Sequence, residues 1–132
     1  MRRCFGVAAL IFCGVCTVWA ADSYAVTLIM VDEPGCQYCR KFDVEIGRGY
    51  PRTREGHFAP LVRVRRKSAQ LSRFNPVIYT PTFILTRRGE ELGRITGYPG
   101  AEYFYAELSD LLAKAGYAPG LTPGQTKGSS SI

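Results

Sequence analysis

Histidine is almost missing from this chain: His57 stands alone among 132 residues. A structural zinc site takes about four ligands, drawn mostly from cysteine and histidine. With one histidine, such a site would have to be built from the five cysteines, and Cys4, Cys13 and Cys16 lie in an N-terminal stretch apart from Cys36 and Cys39. Long hydrophobic runs are missing as well. The apolar stretch over residues 5–18, interrupted only by Thr17, falls short of the roughly 20 residues that a membrane span needs. Internal repeats are absent, which excludes solenoids and arrays.

What stands at the N-terminus has the form of a leader. Met1, Arg2 and Arg3 give a short positive start, residues 5–18 an apolar run, and Val18, Trp19 and Ala20 a small-residue cleavage site before Ala21. Residues 1–20 are expected to be a secretory signal peptide, with an uncleaved membrane anchor as the alternative. Arg2, Arg3 and Phe5 also resemble a twin-arginine signal, while two arginines suit ordinary secretion equally, so the export route stays open. Cleavage removes Cys4, Cys13 and Cys16. Cys13 and Cys16 have the same two-residue spacing as Cys36 and Cys39, but they lie inside the apolar run and go with it. Cleavage also removes Arg2 and Arg3, lowering the formal net charge from +6 to +4. That charge favours an acidic protein partner and says nothing of fold.

About 110 residues remain, enough for one domain with a single core and too few for two. Residues 21–117 are expected to form it. From Ala118 to Ile132 the chain is rich in proline, glycine and serine, a composition that cannot bury enough apolar surface to offset its ordering entropy. This segment is expected to be a flexible tail.

Within the domain, residues 24–31 form a near-continuous apolar run, which suits a strand buried on both faces of a sheet. Asp32, Glu33, Pro34 and Gly35 read as a turn. Cys36, Cys39, Phe42 and Ile46 then recur at three- and four-residue intervals, predicting a helix that opens at Cys36 and stops at Gly47 and Gly49. Leu61, Val62 and Val64, interleaved with Arg63 and Arg65, predict a second strand whose arginines face water. A short helix is expected over residues 68–74. Residues 82–86 and 92–96 predict two strands pairing antiparallel across a turn at residues 87–90. Phe104, Leu108, Leu111, Leu112 and Ala115 keep helical spacing between Gly100 and Gly116, which can cap and end a last helix. The fold class is α/β, a mixed sheet of about four strands flanked by helices.

The cysteine pair sits at the carboxyl end of the first predicted strand, where the working crevice of an open α/β sheet lies. At a helix start, free N–H groups and the helix dipole favour an anion, so a thiolate at Cys36 is stabilised there. Cys36 is therefore the candidate nucleophile. Cys39, one turn deeper, is the candidate resolving thiol. Arg40 and Lys41 favour the thiolate, whereas Asp32 and Glu33 oppose it. As a structural staple the pair is weak: closing about four residues is worth roughly 2 kcal/mol against about 3 for a 15-residue loop. Haem attachment requires histidine directly after the second cysteine, and Arg40 is there. A copper(I) carrier stays open as the alternative, because two soft thiolates suffice.

A second signal strengthens the redox reading. Thr80 and Pro81 stand at the start of the predicted strand Thr82, Phe83, Ile84 and Leu85. Taken with the cysteine pair, these residues make the chain resemble the thioredoxin superfamily over residues 24–117. The resemblance implies a thioredoxin-like fold in which Pro81 is cis, Thr80 and Pro81 lie beside Cys36, and the backbone of Thr80 pairs with an extended substrate. Gly89 and Gly97 also sit where such folds carry glycine. The chain departs from thioredoxins proper: Gly35 precedes the pair in place of tryptophan, Gln37 and Tyr38 separate it, and Met30 replaces a buried aspartate. Tyrosine before the second cysteine is closer to glutaredoxins and periplasmic disulfide isomerases. With Met30 in that position, Glu33, Glu45 or solvent is left to take the Cys39 proton.

A narrower likeness, carried by residues 33–39, by Gly49, Tyr50, Pro51, Arg52, Thr53, Glu55 and Gly56, and by residues 93–100, is to the periplasmic thioredoxins of bacterial sulfur-oxidation systems. It implies a periplasmic thiol-disulfide oxidoreductase that reduces a disulfide or blocked cysteine on a partner protein, with electrons from a membrane thiol donor. Tyr38 and Tyr98 are candidates to line the groove around Cys36. No cofactor or metal is expected, the chain is expected to act as a monomer, and nucleic acid is not an expected partner. Arg63, Arg65, Arg66 and Lys67 read as a solvated strand face. His57 reads as an exposed loop residue, and Tyr103, Phe104 and Tyr105 as helix packing.

Overall fold

The structure is a computed structural model and describes residues 25–120. The expected signal peptide, Tyr24 and the tail beyond Gly120 lie outside the described residues. Strand β1 (Val26–Asp32) directs Val26, Leu28 and Met30 to one side and Ile29 and Val31 to the other, and all five are buried. A strand apolar on both faces belongs inside a sheet. The order β2–β1–β3–β4 puts it there, between β2 (Leu61–Arg65) and β3 (Thr82–Arg87), with β4 (Glu90–Thr96) at the far edge. β2 runs parallel to β1, while β3 is antiparallel to both β1 and β4, so the sheet is mixed. The β3–β4 turn is tighter than expected. Arg88 and Gly89 both have positive φ, 53° and 81°, as a two-residue hairpin loop requires, and Arg87 and Glu90 pair within the ladder.

The helix expected over residues 36–46 begins as α1 (Gln37–Phe42), with Cys36 as its N-cap, and continues as a wide π turn over Asp43–Gly47. Its spacing holds: Cys39, Phe42 and Ile46 are buried. Gly47 suits the wide turn, since a Cβ there would meet Asp43 Oδ1 at 2.9 Å and the Phe42 ring at 3.3 Å. Next come a 3-10 turn at Tyr50–Arg52 and a short helix, α2 (Arg54–Phe58), that no apolar period announces. Thr53 Oγ1 caps α2 by accepting from Gly56 N–H at 3.0 Å, and donates to the Tyr50 carbonyl at 2.7 Å. The helix expected at residues 68–74 is only a 3-10 turn, Ala69–Leu71, capped by Ser68. Helix α3 (Ala101–Lys114) follows Gly100. It ends in a Schellman motif: Gly116, φ 81°, donates to Ala113 O at 3.0 Å and Tyr117 N–H to Leu112 O at 3.0 Å.

Helices α1 and α3 cover one face of the sheet. There Phe42, Phe83 and Phe104 meet with ring centroids 4.8 to 5.2 Å apart, in tilted and edge-on contacts that aromatic quadrupoles favour. The other face, Ile29, Val31, Val64 and Ile84, is covered by Leu71 with Phe74 and Val77. No helix among the described residues is long and apolar enough to cross a membrane.

Candidate redox site

The turn out of β1 is closed by Gly35, whose φ of 82° favours glycine, and by Cys36 N–H donating to Glu33 O at 3.3 Å. Cys36 has extended backbone, φ −66° and ψ 105°, and its Sγ accepts the Cys39 N–H at 3.1 Å. A donor aimed at that sulfur favours it as an anion, together with the positive end of the helical run. The two cysteines form a disulfide, their Cα atoms 5.3 Å apart. They are not equivalent. Cys36 is half-buried at the helix start, whereas Cys39 is only 5% exposed and packs in the core beside Phe42.

Arginines of β2 and of the residue just after it engage the two acids that oppose a thiolate. Asp32 faces Arg63 at 3.5 Å and Arg65 at 3.6 Å, and Glu33 faces Arg66 at 3.2 Å. Arg63 also pairs with Asp43. Arg63 and Arg65 are exposed as expected, whereas Arg66 is part-buried, and all three have carboxylate partners as well as water. Lys41 turns the other way, donating to Pro99 O at 3.2 Å with its Nζ 5.9 Å from the centre of the Tyr98 ring.

The Thr80–Pro81 peptide is cis, as the resemblance implies. Hydrogen bonds join this loop to both neighbours. Thr80 Oγ1 donates to Glu33 Oε1 at 2.9 Å, and Gly97 N–H donates to Pro81 O at 2.7 Å. Among the described residues, the N–H and C=O of Thr80 itself have no partner. Tyr38 lies between the cysteines and is 50% exposed. Tyr98 is different: it is 2% exposed, edge-on to Phe42 at 5.3 Å, and its hydroxyl donates to Glu45 Oε2 at 2.7 Å. Burial, reinforced by that hydrogen bond, raises its pKa above the ordinary tyrosine value. Tyr98 is thus a core residue packed on Phe42, and Tyr38 a surface one. Met30 is fully buried, and both candidate proton acceptors already have partners, Glu33 with Thr80 and Glu45 with Tyr98.

Arg66 and Ile78 were not expected near this site. Arg66 Nη1 donates to Ile78 O at 3.0 Å, and Ile78 and Tyr79, 63% and 67% exposed, directly precede Thr80. Their one sequence signal is an apolar run, Val77 to Tyr79, that ends at Thr80 without forming a strand. His57 is exposed in the last turn of α2, and no group of three metal-binding side chains occurs among the described residues. Two surface concavities, between residues 73–75 and 89–93 and over Ile29, Val64 and Thr86, include neither cysteine.

The thioredoxin-like domain family matches residues 17–112. No curated protein gives a significant match. Among solved structures, the periplasmic thioredoxin SoxS from Paracoccus pantotrophus, in its reduced form, is 39% identical, with a TM-score of 0.65 over 68% of this chain and 98% of that one. The germline-specific thioredoxin Deadhead from Drosophila melanogaster is 17% identical, with a TM-score of 0.53 over 70% of this chain and 82% of that one. A thioredoxin from Thermus thermophilus is 22% identical, with a TM-score of 0.51 over 70% and 77%. The last two speak for the fold alone. With its matching fold, its cysteine pair at the head of α1 and its likeness to SoxS, this chain belongs to the thioredoxin-like family and is a thiol-disulfide oxidoreductase.

Proposed function

We propose that this chain is exported to the periplasm by a cleaved signal peptide, residues 1–20, and there reduces a disulfide or blocked cysteine on a partner protein. Cys36 attacks and Cys39 resolves. The observation that carries the assignment is the asymmetry of the pair: Cys36 is accessible at a helix start with an N–H on its sulfur, and Cys39 is buried behind it. The Cys36 thiolate attacks one sulfur of the partner disulfide, forms a mixed disulfide and expels the other sulfur as a thiolate that takes a proton. Cys39 loses its proton and attacks Cys36 Sγ, releasing the second partner thiol and leaving the Cys36–Cys39 disulfide. Two electrons have passed to the partner, and a membrane thiol donor restores the dithiol.

The open peptide of Thr80 supports pairing with an extended polypeptide, since main-chain hydrogen bonds at an unpaired edge give affinity without demanding a sequence. Exposed Tyr38 offers apolar surface to the same ligand, while Tyr98 lies in the core. A carrier protein of sulfur oxidation is the partner suggested by the likeness to SoxS. In the test, the Cys39→Ser variant accumulates a mixed disulfide through Cys36 with its partner, and Cys36→Ser abolishes insulin reduction. Absence of the adduct, with insulin reduction unchanged in Cys36→Ser, overturns the assignment. The direction of electron flow is read from the reduction potential. A value near the reducing end of the roughly −270 to −120 mV span of such pairs supports reduction of the partner, and one near the oxidising end refutes it.

A further inference from the structure

Glu33 touches both halves of the site. Its main-chain carbonyl accepts the Cys36 N–H at 3.3 Å, and its carboxylate accepts the Thr80 hydroxyl at 2.9 Å across 47 residues of chain. The second carboxylate oxygen faces Arg66 Nε at 3.2 Å, and Arg66 Nη1 donates onward to Ile78 O at 3.0 Å. Thr82 Oγ1 donates to Tyr79 O at 2.7 Å. The carbonyls of Ile78 and Tyr79 and the hydroxyl of Thr80 are therefore all engaged. Among the described residues, the peptide groups of Thr80 are left open between them.

We propose that Glu33 is a positioning residue: its carboxylate oxygen, by accepting the Thr80 hydroxyl, holds the open peptide of Thr80 at a fixed offset from Cys36. The inference rests on the reading above, that an extended polypeptide pairs with Thr80. A polypeptide docked on that peptide brings its disulfide to Cys36 only if the loop and the cysteine turn keep their spacing, and small misplacements of reacting atoms cost rate steeply. The brace is a hydrogen bond to an acceptor oxygen. Its distinctive consequence is that charge at position 33 matters less than the presence of that oxygen. Glu33→Gln keeps an acceptor for Thr80 and removes the charge, whereas Glu33→Ala removes both. Glu33 and Arg66 are each about one-third exposed, so neither change strands a buried charge and the fold survives.

The experiment measures kcat and KM separately for insulin reduction, with dithiothreitol as electron source, in Glu33→Ala, Glu33→Gln, Thr80→Val and the Glu33→Ala/Thr80→Val double variant. Thermal midpoints and the reduction potential of the pair are recorded alongside. Glu33→Ala raises KM about tenfold with kcat within about twofold, Thr80→Val does the same, and Glu33→Gln, which keeps the acceptor oxygen, recovers most of that loss in KM. The double variant is no worse than the poorer single one, because both substitutions remove the same link. An unchanged KM in Glu33→Ala, additive losses in the double variant, or a KM in Glu33→Gln as high as in Glu33→Ala overturns the proposal. If the parent protein reduces no insulin and Cys36→Ser changes nothing, the functional reading itself fails and the brace falls with it. An active parent with a silent Glu33→Ala refutes only the brace.

Discussion

Tyr50 and Tyr98 place phenols where water barely reaches. Tyr50 is fully buried and donates to Ala59 O at 3.0 Å, and burial, ahead of the nearby Tyr105, Glu55 and Tyr117, raises its pKa above the ordinary value of 10. Tyr98 is raised for the same first reason, with its Glu45 hydrogen bond adding to it. In the unfolded chain both phenols lose their protons near pH 10, but in the folded chain they hold them to higher pH. Above about pH 10 the unfolded state therefore binds fewer protons, and stability falls as pH rises towards the raised folded values. Below about pH 10 this contribution is fully present and flat. Denaturant unfolding followed from pH 8 to 11 should show that decline, and Tyr50→Phe or Tyr98→Phe should each make it shallower. A slope unchanged in both variants would refute the assignment. The residue scale is also where the redox chemistry was most legible in the sequence. Cys36, Cys39, Thr80 and Pro81 are recognisable by residue type and spacing, which no tertiary contact alters.

Elements were legible in proportion to how much of their stability is local. Residues of β1 alternate between two buried faces, and α3 has four buried apolar residues at helical spacing, so each announces itself. Helix α2 does not. It has five residues, too few to be stable alone, and exists because Thr53 caps it and Gly56 lies against the Tyr50 main chain. A Cβ at Gly56 would come within 1.9 Å of Tyr50 O, a clash with backbone that no rotamer relieves. Gly56→Ala is predicted to destabilise the fold by about 1–3 kcal/mol or more, read as a lowered denaturant midpoint with an unchanged slope. A midpoint equal to the parent's would show that this close approach is not needed. The stretch at residues 68–74 went the other way: the short helix expected there is only the 3-10 turn Ala69–Leu71, and Leu71 with the following Phe74 and Val77 covers the second sheet face.

Across the whole molecule, the helical face of the sheet is organised around Phe104, which touches Phe42, Phe83, Tyr98 and Tyr105 and is fully buried. Truncation to alanine leaves a cavity that these rings cannot fill by small shifts. Phe104→Ala is predicted to cost about 3–5 kcal/mol in chemical unfolding, and a loss below 1 kcal/mol would contradict this packing. By itself, the sequence determined the redox pair and the strands and helices with strong apolar periods, because each depends on residue types close together in the chain. The mixed sheet followed from the order of those elements, and the cis proline from the resemblance to a known fold. Only the tertiary structure decided that Glu33 meets Thr80, that Arg66 reaches Ile78, that the arginines of β2 engage Asp32, and that Tyr98 is buried rather than exposed. These contacts join residues far apart in sequence. Their partners are selected by the register of β1 against β2 and β3 and by the packing of helices on the sheet, and neither is written in any local run of residues.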